Sequence, residues 1–81
     1  MPLAFATNSV RLEGHCAVEE ALPLAEFLDA DPDNTVALDD CLSMHTALLQ
    51  ALIAARPRIV SHPSVEPLAA LTRRIFGADA D

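Results

Sequence analysis

No lysine, tryptophan or tyrosine occurs in this chain, and it holds only two glycines, two cysteines and three phenylalanines. The missing lysine leaves five arginines against twelve acidic residues, for a net charge of −7. A binder of nucleic-acid phosphates needs a basic footprint, so that class is excluded. Docking on an anionic membrane is disfavoured for the same reason. Cys16 and Cys41 are too few for a disulfide scaffold. The start, Met1-Pro2-Leu3-Ala4-Phe5-Ala6, has neither the basic region nor the apolar run of a secretory leader. The longest apolar stretch, Ala47 to Ala55, is interrupted by Gln50 and is about half the length that a membrane span needs. The expectation is a soluble cytoplasmic protein with both thiols reduced.

What the chain does have is aliphatic bulk. Hydrophobic residues make up 52% of its 81 positions and the mean hydropathy is +0.29, too apolar for a disordered chain. This length predicts one domain, burying about 60–65% of the surface its unfolded form exposes. With so few aromatics, the core falls to Leu, Val, Ile and Ala.

Residues 3–6 and 9–13 flank Thr7-Asn8. Asn tolerates left-handed backbone, so the stretch predicts a hairpin. In its second strand Val10 and Leu12 face one way and Arg11 and Glu13 the other, until Gly14 breaks it. Apolar residues at Val18, Ala21, Leu22, Ala25 and Leu28 have helical spacing over 18–30, with Glu19 and Glu20 suited to the helix start. Pro23 fits if the helix begins near Glu20 and kinks it otherwise. Phe27 falls off the stripe, as an exposed anchor or a rim residue. Asp31-Pro32-Asp33-Asn34 ends this helix.

Thr35–Leu38 reads as a strand buried on both faces. Ser43 is the expected cap of a second helix with a stripe of Met44, Ala47, Leu48, Ala51, Leu52 and Ala55, widened by Leu49 and Ile53. Arg56-Pro57 stops this helix, which is expected to be the most buried of the three. Residues 58–62 form another short strand. Ser64 is the expected cap of a third helix, with Pro67 at its third position and Leu68, Leu71 and Ile75 facing the core. Arg73 and Arg74 suit its last turn, Gly77 stops it, and the tail 78–81 is expected to fray. The order β-β-α-β-α-β-α implies an α/β domain over 1–77: a small, mainly parallel sheet with an antiparallel N-terminal strand.

That order, with two stretches of sequence, resembles the STAS family of sulfate-transporter cytoplasmic domains and anti-sigma-factor antagonists. Val10-Arg11-Leu12-Glu13-Gly14 is similar to the family's strand ending in a Leu-Glu-Gly turn. The stretch from Cys41 to Leu52 is similar to its Asp-Ser-Ser-Gly-Leu turn and second helix. In that register His45 stands where the family has Asp, Thr46 where its phosphorylatable Ser lies, and Ala47 and Leu48 replace the next Ser and Gly. The resemblance covers roughly residues 3–77. It implies a non-catalytic regulatory module that docks a protein partner, such as an anti-sigma-factor kinase or a transporter subunit. The implied surface is the start of the second helix: Asp40, Ser43, His45 and Thr46. No cofactor is implied.

The residues offer a second reading. His15 and Cys16 follow the second strand, Asp39, Asp40 and Cys41 the third, and His62 ends the fourth, with His45 starting the second helix. In an open parallel sheet these share the carboxyl edge, where ligands bind. Cys41, His45, His62 and His15, with Cys16 as a substitute, could hold zinc, because thiolate and imidazole suit that ion. Against this, the chain has no CxxC pair and no HExxH, and small buried cysteines beside loop histidines are ordinary. A Cys-His nucleophilic pair has no local signature to support it. Nine of the twelve acidic residues lie between Glu13 and Asp40, whereas four of the five arginines follow Ala55. That polarity can be a solvated face or can steer a partner.

Overall fold

The computed structural model describes residues 2–77. Strand β1 (Leu3–Phe5) runs antiparallel to β2 (Ser9–Leu12), with Leu3 opposite Leu12 and Phe5 opposite Val10. The Ala6 N–H closes the hairpin on the Ser9 carbonyl at 2.8 Å. The left-handed backbone expected at Asn8 is not used, since Arg56 is the one non-glycine of positive φ among the described residues. Asn8 acts through its side chain instead. Its amide donates to Asn34 Oδ1 at 3.1 Å, and the buried Asn34 donates to the Phe27 carbonyl at 2.9 Å. The hairpin tip is thereby tied to the turn that ends the first helix.

Strand β3 (Gly14–Cys16), a 3-10 turn at Val18–Glu20 and helix α1 (Ala21–Ala30) follow. Then come β4 (Thr35–Ala37), β5 (Cys41–Met44), α2 (Thr46–Ala55), β6 (Arg58–Ser61) and α3 (Leu68–Phe76). The main sheet has the order β1-β2-β4-β6, with β2, β4 and β6 parallel, and β3 and β5 form a parallel pair of their own. The domain is thus α/β, with a mixed sheet and three α-helices among the described residues. Parallel neighbours in sequential order require crossovers of one hand, which places α1 and α2 side by side on one face, where they pack together. Among the described residues no helix is long and apolar enough to cross a membrane.

The paired strands β3 and β5 depart from the sequence expectation. Gly14 does not end the strand region. At φ +67 it redirects the chain, and its N–H donates to the Asp40 carbonyl at 3.0 Å. That conformation is open to glycine at little cost. Ser43 consequently lies within β5 and is not the cap of α2.

The inner face of the sheet supplies Leu3, Val10, Leu12, Val36, Leu38 and Ile59 to the core. Leu24 and Leu28 of α1 and Leu48 and Leu52 of α2 close it, with Cys16 and Cys41. Each fully buried leucine contributes about 1.5–3 kcal/mol of transfer free energy, so these four helix residues hold both helices to the sheet. In α2 the expected stripe is found at Leu48 and Leu52, both fully buried, whereas Ile53 is 38% exposed.

The stripe expected from Val18 to Leu28 holds at Leu28, which is buried, and at Ala21, which packs against the core, but not at Val18 and Leu22. Val18 is 49% and Leu22 66% exposed, and Leu24 and Leu28 face the core. A 3-10 turn advances three residues per turn, so counting by 3.6 from Val18 loses register before α1 begins. Pro23 sits at the third position of α1, where its missing N–H has no intrahelical partner to lose. Phe27 is a half-buried rim residue, packed on Phe5 with ring centroids 5.1 Å apart.

The third helix also starts later than expected. Proline disfavours helical backbone at the preceding residue, so Pro67 keeps Glu66 out of the helix and Leu68 is its first residue. Ser64 therefore caps nothing. Glu66 helps instead, its carboxylate accepting from the Ala70 N–H at 3.2 Å. Leu71, expected in the core, is 42% exposed, and Ala69 and Thr72 are the buried residues. The Thr72 hydroxyl is accommodated by donating to the Leu68 and Ala69 carbonyls at 3.1 and 3.2 Å. Gly77, at φ +93, ends α3 as expected, donating to the Arg73 carbonyl at 2.8 Å. The tail 78–81 lies outside the described residues.

Candidate functional site

The carboxyl ends of the parallel strands bring several of the polar residues together. In the β3–β5 pair His15 stands opposite Ser43, and His15 Nδ1 lies 2.7 Å from Ser43 Oγ. One turn along, the His45 N–H donates to the Cys16 carbonyl at 2.9 Å, which docks the start of α2 on the end of β3. His45 is the N-cap of α2. Its Nδ1 accepts from the Ala47 N–H at 3.0 Å, and its carbonyl accepts from the Leu48 N–H at 2.9 Å. Acceptance at Nδ1 assigns the ring proton to Nε2. Thr46 is the first helical residue and is exposed.

His15, Leu42, Ser43, His45 and Thr46 form an exposed strip along β3, β5 and the first turn of α2. Leu42, which precedes Ser43 on β5, is a large aliphatic side chain left 49% exposed. The 3-10 turn that carries the exposed Val18 packs against α2 and borders the strip. Asp40 lies at the corner between β4 and β5. Its carbonyl holds Gly14, and its carboxylate is 3.6 Å from the Arg11 guanidinium.

Beside this strip is a polar latch that sequence reasoning did not assign. Arg11 of β2 pairs with Asp39, and the Ser61 hydroxyl at the end of β6 donates to Asp39 Oδ1 at 2.9 Å. Ser61 Oγ also accepts from the Leu38 N–H at 3.1 Å. The latch therefore ties the ends of three neighbouring strands. The Ser61 bond, foremost, holds the Asp39 carboxyl below its ordinary range against the opposing cost of burial, helped to a lesser degree by the Asp39 N–H and Arg11. One sequence signal existed: Arg11 is the single arginine before Arg56.

Cys16 and Cys41 are free thiols, 3% and 1% exposed, within the core. Burial pushes both upward. Cys41, with the Cys16 thiol beside it, reaches about 12, though the Ser43 carbonyl that accepts its S–H at 3.4 Å works slightly against the shift. Such thiols stay neutral at physiological pH, which makes them poor nucleophiles.

His62 is set apart from the other histidines by its surroundings. Both of its ring nitrogens are enclosed, and neither has a hydrogen-bond partner. The four residues read as a possible zinc site, Cys41, His45, His62 and His15, are not assembled as one. Among the described residues no three His, Cys, Asp or Glu side chains converge as a metal would require. Compared with protein-family models, with curated proteins and with solved structures, the chain has no match in any of the three.

Proposed function

We propose that this chain is a non-catalytic, STAS-like regulatory module acting in the cytoplasm, and that it binds a protein partner through the strip at the start of α2. The observation that carries the reading is Leu42, 49% exposed on β5 next to the exposed Ser43 and shortly before the exposed His45 and Thr46. A large aliphatic group exposed on a strand beside polar residues fits the apolar-centre, polar-rim composition of a protein-binding surface. The hairpin followed by strand–helix units, with α2 opening beside the strip, supports the resemblance to STAS domains.

Thr46 is the regulatory position in this reading. A phosphate at the first turn of a helix would meet unpaired N–H groups and the positive end of the dipole. It would also change the charge of the surface that a partner must desolvate. An anti-sigma-factor kinase or a transporter subunit is the class of partner that the resemblance suggests.

The test is a native pull-down read by mass spectrometry, with parent and Thr46→Glu proteins as parallel baits. The reading expects a protein recovered with the parent and depleted with the variant. Identical recoveries on both baits contradict it.

A further inference from the structure

Two surfaces of this domain carry opposite charge that is unpaired among the described residues. Helices α1 and α2 both return along parallel strands, so their C-terminal ends lie together, at the end of the domain opposite His45. Between them is an open groove of about 580 Å³. Ala25, Ala51, Ala54 and Ala55 make it apolar, and Glu26 and Asp29 stand on its α1 side. Both acids are exposed, and neither is in an ion pair: among the described residues the salt bridges are those of Arg11 with Asp39 and Asp40. Two helix C-termini add their negative dipole ends to the same place, offset in part at α2 by its exposed C-cap residue, Arg56. The groove thus suits a cation carried next to an apolar side chain.

Helix α3 presents that combination. Leu71 is 42% exposed, and Arg74, three residues on, shares its face of the helix. Arg73 and Arg74 are both exposed, and neither is in an ion pair among the described residues. Each copy therefore carries an acidic groove and a basic, apolar ridge, neither in an ion pair among the described residues. We propose that the Leu71–Arg74 face of α3 docks in the α1–α2 groove of a second copy, with Arg74 set against Asp29. The net charge of −7 opposes association at long range. Salt screens charges beyond about 8 Å at physiological strength, so the opposite charges at the contact decide the outcome.

The experiment is sedimentation velocity over a concentration series, on the parent, Arg74→Glu, Asp29→Arg and an equimolar mixture of the two variants. Both substitutions are at exposed positions, and circular dichroism confirms that each variant is folded. The parent is expected to self-associate reversibly, and each charge reversal to weaken association roughly tenfold or more by setting like charges together. In the mixture, the ridge reversed by Arg74→Glu meets the groove reversed by Asp29→Arg, so opposite charges face each other again. The other pairing, of the two unaltered surfaces, stays native, and association returns toward the parental level. A parent that remains monomeric throughout overturns the proposal. So does self-association that neither reversal weakens, or a mixture that does not recover.

Discussion

Replacing His45 tests how α2 is started. In the parent, the imidazole satisfies one of the four N–H groups that the first turn leaves without intrahelical partners, through the 3.0 Å bond to Ala47. His45→Ala removes that bond and leaves the backbone contacts with Cys16 and Leu48 in place. Loss of an N-cap costs about 0.5–2 kcal/mol. The side chain is exposed, so water takes over part of the bond, and a loss of about 0.5–1 kcal/mol is expected. For a domain of this size that lowers Tm by roughly 2–8 °C. His45→Asp should behave in the opposite way. Its carboxylate accepts the same N–H and adds about 0.3–1 kcal/mol through the helix dipole. Urea unfolding followed by circular dichroism should rank the proteins as Asp at or above the parent and Ala below it, with equal m-values. An Asp variant less stable than the Ala variant would refute the cap assignment.

Leu48→Asp and Leu52→Asp each place an unpaired charge at a fully buried site, at a cost of several kcal/mol. Total stability for a domain this size is only about 4–12 kcal/mol, so circular dichroism should show both unfolded, while Arg74→Ala leaves the unfolding free energy of the dilute protein unchanged. Cys41 is raised in the folded state to about 12 from an ordinary 9.0, so the unfolded chain ionises first. Stability from this group is complete below pH 9.0 and falls as pH rises toward about 12. Unfolding free energies measured across that range should decline less steeply in Cys41→Ala, and parallel curves would contradict the effect. The enclosed His62 ring nitrogens have no partners, so His62→Leu should raise stability by about 1–3 kcal/mol in urea unfolding, and a less stable variant would mean that the ring is satisfied in solution.

Much of the core was readable because period alone decides it. The alternation at Val10 and Leu12 marked the buried side of β2, and Leu48 and Leu52 at i, i+4 marked that of α2. The exceptions have local causes. The 3-10 turn at Val18 left Val18 and Leu22 outside, Pro67 delayed the start of α3, and α3 packs through Ala69 and Thr72 with Leu71 outward. Strands β3 and β5 are short and carry His, Cys, Ser and Met in place of alternating β-branched residues, so neither pattern nor propensity announced them. The site followed the same division. The residues at the carboxyl edge were legible from the βαβ order. The bond between His15 and Ser43 needed the register of β3 on β5, and the Arg11–Asp39–Ser61 latch needed three strands brought side by side.

Calorimetric titration of the recovered partner against three proteins tests the docking surface most directly: parent, Thr46→Glu, and Thr7→Glu at the exposed hairpin turn between β1 and β2. Glutamate in the first turn of α2 is compatible with the dipole, so all three fold. The account predicts that Thr46→Glu binds more weakly by on the order of 1–3 kcal/mol, with Thr7→Glu indistinguishable from the parent. Equal affinity for all three would contradict it and place the interface elsewhere on the domain.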